Sequence, residues 1–225
     1  MNNLFSIFDS STNTLIELNW MSSFSTLLIL PSSYWLFSSR MMNFLKMIVM
    51  KIYYEFNIIL NNKFNSPNNI LFISLMLMIF INNFMGLFPY IFTSSSHLIF
   101  AMSFSLPIWM SFMIFGWINN YNFMFSHMIP QSTPYILMPF MVLIETISNF
   151  IRPMTLAIRL CANMIAGHLL LTLLSQNCLS LNFFFLLILL SMQIILLSLE
   201  FSVSFIQSYV FSILSTLYSK ETNYE

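Results

Sequence analysis

The chain has 225 residues, 58% of them hydrophobic and 6% charged, with a formal net charge of zero. Soluble domains carry roughly a quarter of charged residues, so this balance excludes a soluble enzyme, and nothing in the charge points to a nucleic-acid partner. Several apolar runs reach the ~20 residues that carry a helix across a ~30 Å hydrocarbon core. They are continuous rather than alternating, which argues against a β-barrel. The expected fold class is therefore an all-α integral membrane protein: one membrane domain with about five transmembrane helices and one amphipathic surface helix.

In chain order, a first span is expected within residues 1–39, from about Leu15 to Phe37, with Trp20 and Trp35 at its two interfaces. Residues 40–64 differ, because Asn43, Lys46, Lys51, Glu55, Asn57 and Asn61 recur among Met, Ile, Leu and Phe. That spacing predicts an amphipathic helix on the membrane surface, with a charged loop as the alternative. Spans follow over residues 68–92 and 97–119, then a loop to 134 marked by Asn119, Asn120, Pro130 and Pro134. The apolar stretch 135–174 is ~60 Å long if wholly helical, twice the bilayer core, and 179–219 is similar. Two such segments predict long helices paired as a steeply tilted hairpin, with Pro139 and Pro153 as places where the first could kink.

Four of the seven Lys and Arg residues (Arg40, Lys46, Lys51, Lys63) follow the first span. The positive-inside rule puts that segment on the matrix or cytoplasmic side; five spans then leave the N-terminus outside and Lys220 inside. No signal-peptide or transit-peptide pattern is visible. The 26 Phe and 19 Met against 3 Gly and 4 Ala suit a strongly AT-biased genome, such as an organellar one. Cys161 and Cys178 show no metal-type spacing, and each is expected as a free apolar thiol.

Residues 143–171 place Glu145, Arg152, Arg159 and His168 inside an apolar run. A charge at mid-bilayer costs roughly 2.5–3.5 kcal/mol even on the forgiving scales, so function is sought there. At about 100° per residue with Arg159 as zero, Asn163 falls at about 40°, Ala166 at about −20° and Ala162 at about −60°. Arg152, Thr155, Ser148 and Glu145 lie within about 40° of Arg159, and His168 about 180° away. If Pro153 keeps the register, this is one stripe of polar and small side chains. Three of the four alanines and one of the three glycines fall between Ala157 and Gly167. Ala162 with Ala166 and Asn163 with Gly167 have the four-residue spacing of close helix approach, so this face, Arg159 included, is expected to meet another helix. In the last segment Gln193, Glu200 and Gln207 recur every seven residues with Ser204 beside them, a second polar stripe suited to proton handling. The plainer readings are an Arg159–Glu145 structural pair, a snorkelling Arg152, a hydrogen-bonded core histidine at 168 and interhelical glutamines.

The chain resembles subunit a of the rotary ATP synthase in its mitochondrially encoded form. The motif is Ile144-Glu145-Thr146-Ile147-Ser148, then Arg152-Pro153, then Leu156 through His168; Leu199-Glu200 and Ser204 through Phe211 support it, with Asn83 through Pro89 and Pro130 through Pro134 as weaker matches. Cys161 stands where a threonine or similar small residue is usual, and Arg152 is a second arginine at a variable position. The resemblance implies a proton-translocating stator subunit with no catalytic nucleotide site and no cofactor, in the mitochondrial inner membrane. Its partners would be a ring of c subunits and other membrane-sector and peripheral-stalk subunits. Arg159 would be the essential arginine facing the ring, with Asn163 beside it and Gln207 packed near it. His168 and Glu200 would line the half-channel open to the intermembrane space, and Glu145 the matrix-side one. Rival classes fit less well: three dispersed histidines poorly supply haem axial pairs, no transporter-type repeat is evident, and a mere anchor leaves the polar stripes unexplained.

Overall fold

The computed structural model describes residues 4–11, 18–30, 37–60, 66–129, 133–177 and 182–222. Seven α-helices carry these residues: α1 Ser25–Ile29, α2 Arg40–Leu60, α3 Ser66–Gly86, α4 Leu98–Asn119, α5 Tyr121–His127, α6 Met138–Asn177 and α7 Phe183–Thr222. Short 3-10 turns precede α1, α4 and α6. Four helical segments are long and apolar enough to cross a bilayer: Pro67–Gly86, Leu98–Asn119, Tyr135–Gln176 and Phe183–Thr222.

The expected first span falls partly on residues outside the described set. Its described part is a 3-10 turn, Asn19–Phe24, running into the five residues of α1. Residues 40–60 are helical, not a charged loop. Ile52, Phe56 and Leu60, spaced by four, form a buried stripe that joins Phe72, Ile73 and Met76 of α3 in one core cluster. Lys46 and Lys51 remain exposed.

Three boundaries need correction. The second span was expected to continue to residue 92, but α3 ends at Gly86, where a tight turn brings Thr93 Cγ2 within 3.0 Å of where a Cβ on Gly86 would sit. Most of the expected 119–134 loop that is described folds as α5, because the breakers Asn119 and Asn120 interrupt the helix only at Asn120. The last helix runs to Thr222, beyond the expected 219.

α6 is one helix of 40 residues, unbroken at Pro153. The proline therefore does not shift the register, and the polar stripe holds along the helix. The opposite face packs inward: Leu156, Ala157 and Leu160 share a core cluster with Ile79 of α3, Ala101 of α4 and Phe211 of α7. α7 packs against α2, α3, α4 and α6. Its inward face is a ladder of small polar residues, with Ser204, Ser208, Ser212, Ser215 and Ser219 all buried. These hydroxyls donate to carbonyls of their own helix one turn back, as in Ser208 to Phe205 O at 2.8 Å and Ser212 to Tyr209 O at 2.8 Å. Satisfied in this way, they let neighbouring backbones come close without unpaired donors.

Candidate functional site

The polar residues of α6 and α7 sort into three levels. At the first, Glu200 is 9% exposed and neither of its carboxylate oxygens has a hydrogen-bond partner among the described residues. It sits against Gly167: a Cβ built there would lie 2.6 Å from Glu200 Oε1 and 2.8 Å from its Cδ. Only glycine admits the carboxylate at this distance, so Gly167 serves contact within the chain. His168 follows on the same turn, with Phe8 edge-on at 6.3 Å. Asn163, Ala166, Gly167, His168 and Glu200 line one open pocket of about 260 Å³. The structure thus joins the expected inlet pair His168 and Glu200, and adds Asn163 to it.

Arg159 occupies the second level, eight residues and so ~12 Å along α6 from Gly167. It shares a small cleft with Gln207, Val210 and Phe211 of α7. Arg159, Ala162, Asn163 and Ala166 are exposed. Within the described chain, therefore, no helix covers Arg159, Ala162 or Ala166 of the face that was expected to meet one, whereas Gly167 of that face meets Glu200 of α7. Gln207 is buried with both amide atoms unpartnered among the described residues.

The third level is an ion cluster. Arg152 Nη1 donates to Glu221 Oε2 at 2.9 Å and Nη2 to Glu145 Oε1 at 3.5 Å, with the guanidinium 5.6 Å from the centre of the Tyr218 ring. Glu145 thus pairs with Arg152, which corrects both the structural pairing with Arg159 and the freely snorkelling Arg152. The reason is length, since fourteen residues of helix hold Glu145 and Arg159 ~21 Å apart along the axis. Glu221 and Tyr218 were missed from the sequence. Their only signal was their position about three and four turns beyond Gln207 on the same helix. The serine ladder was also missed beyond Ser204, although its four-residue spacings at 204, 208 and 212 were readable. Gln193 lies on α7 seven residues before Glu200, half-buried. Cys161 is free and buried, while Cys178 lies outside the described residues.

Apolar spans holding a buried carboxylate, an exposed guanidinium and a paired ion cluster define a class: multi-pass helical membrane proteins with ionisable groups stationed along their spans. Residues 15–220 match the sequence profile of the family described as ATP synthase A chain. The chain is 55% identical over 223 residues to ATP synthase subunit a of Drosophila yakuba, covering 99% of this chain and 100% of that protein. It is 53% identical over 225 residues to the subunit a of Anopheles gambiae and 55% identical over 222 residues to that of Locusta migratoria, covering 99% and 98% of this chain and 100% and 99% of those proteins. The chain belongs to the ATP synthase A chain family.

Proposed function

We propose that this chain is the proton-translocating stator subunit of the membrane sector of a mitochondrial ATP synthase. It lies in the inner membrane with its N-terminus toward the intermembrane space and its C-terminus toward the matrix. The observation that carries the reading is the setting of Arg159. It is exposed on a stripe of small residues, makes no ion pair among the described residues, and lies between the Glu200 pocket and the Glu145 cluster. An uncompensated charge inside a bilayer is costly, so its counter-charge comes from outside the chain. The carboxylates of a c-subunit ring supply it, passing the stripe that Ala162 and Ala166 keep flat.

A proton reaches the pocket of His168, Asn163 and Glu200 and neutralises a ring carboxylate, which can then face lipid as the ring turns. From the other direction a carboxylate meets Arg159, whose charge favours the ionised form, and its proton leaves past Glu145. Arginine suits this post because it is not deprotonated in proteins; it attracts the carboxylate and carries no proton, so it separates the two half-channels. Membrane potential contributes about 2.3 kcal/mol per proton for every 100 mV. The test is Arg159→Gln in the assembled complex: ATP-driven proton pumping is lost while the complex still forms. Coupled pumping retained by that variant contradicts the reading.

A further inference from the structure

A cavity of about 490 Å³ lies between α4 and α5 on one side and α6 and α7 on the other. Its walls are apolar, among them Trp109, Met113, Trp117, Met124 and Phe150, and its polar end carries Arg152, Tyr218 and Glu221. Thr146, Asn149 and Phe150 line it from about 80–180° around α6, away from Arg159, and from the stripe itself only the long Arg152 side chain reaches it. Its size falls in the ~300–1,000 Å³ range of ligand pockets, which share this pattern of apolar walls with a few convergent polar groups.

Two features select an occupant. First, the polar end stands at the close of α7, one residue before its last, where the span finishes and lipid headgroups lie. The wall from Trp109 to Trp117 runs ~12 Å along α4 from there, a slot for an acyl chain. Second, Arg152 at the polar end is shared between Glu221, which lines the cavity, and Glu145, which reaches it from outside the lining, and the Glu221 side chain is 45% exposed. The remaining ionisable groups lining the cavity are Tyr218 and His127. One negative charge is left in excess and reachable.

We propose that this cavity seats an aminophospholipid of the bilayer, its acyl chain along α4 and its ammonium donating hydrogen bonds to the Glu221 carboxylate. A choline headgroup has no N–H to donate, and an anionic headgroup without an ammonium meets the excess negative charge.

The test uses the intact ATP synthase carrying this chain, reconstituted with equal phosphatidylethanolamine, phosphatidylcholine and phosphatidylglycerol, then stripped gently and read by native mass spectrometry. The wild type retains phosphatidylethanolamine over phosphatidylcholine by about threefold or more, as expected for one favourable, partly exposed charge contact. Ile114→Trp, which fills the slot from α4, removes that retained lipid, and Glu221→Lys turns the preference toward phosphatidylglycerol. Equal retention of the three headgroups overturns the proposal, as does an unchanged preference in Glu221→Lys. Identical lipid retention in wild type and Ile114→Trp, the outcome if a partner's helix fills the cavity, also overturns it. Should Glu221→Lys fail to assemble, Ile114→Trp decides alone. Lipid retention does not depend on proton flux, so its result is independent of the role assigned to Arg159.

Discussion

Arg152 and Arg159 lie seven residues apart on one helix and within about 20° of one another around it, yet the fold treats them oppositely. Arg152 is held by two carboxylates, one from its own helix and one from α7, and rests on an aromatic ring. Arg159 is offered to the outside with no carboxylate among the described residues to meet it. Residue type and helical phase do not separate these cations; the neighbouring helix does. A cation paired within its own chain steadies the structure, whereas one left unpaired inside the spans fits the proposed meeting with a partner's carboxylate. Two of the hairpin's three carboxylates repeat the contrast, with Glu145 in an ion pair and Glu200 set against a glycine with no partner among the described residues.

Substitutions that exchange these roles should separate the two kinds of site. The largest effect is expected for Arg159→Gln, with coupled proton pumping lost. Arg152→Gln made in parallel breaks the comparison if it proves equally severe. Next comes Glu200→Leu, which should slow proton uptake from the intermembrane side roughly tenfold or more, measured as flux into proteoliposomes of defined orientation. Gly167→Ala places a methyl 2.6 Å from where Glu200 Oε1 now lies, too close to keep that position, so flux should fall severalfold with assembly retained; normal flux there would show that the contact has no functional weight. Ser212→Leu overpacks the face of α7 and should cost about 1–3 kcal/mol of stability, read as lower complex yield on heating. The smallest effect is expected for Arg152→Gln, within about fivefold of normal pumping, because partly exposed ion pairs contribute about 1 kcal/mol or less.

Much of this was readable from the residues. The long apolar runs mark α3, α4, α6 and α7, and the phase arithmetic from Arg159 holds because α6 passes Pro153 without a break. Periodicity also put Glu200 and Gln207 on one face of α7, and both are buried there. What a single chain's periodicity does not carry is the partner across a helix gap. Glu221 lies just past the expected end of the last helix at 219, and only the antiparallel packing of α7 on α6 brings it, from 69 residues away, to Arg152. Gly167 read as one more small residue for helix approach; that it makes room for a carboxylate depends on where α7 sits. The break at Asn120 was visible in its asparagines, but the helical turn that follows it was not, because α5 is only seven residues long and carries too little pattern to register.

The central claim is best tested by a density map of the assembled membrane sector. The account predicts the Arg159 guanidinium directed at a ring of carboxylate-bearing helices packed against Ala162 and Ala166, with aqueous openings reaching Glu200 from one side of the membrane and Glu145 from the other. A map in which Arg159 points to lipid or headgroups, remote from any acidic neighbour, contradicts it.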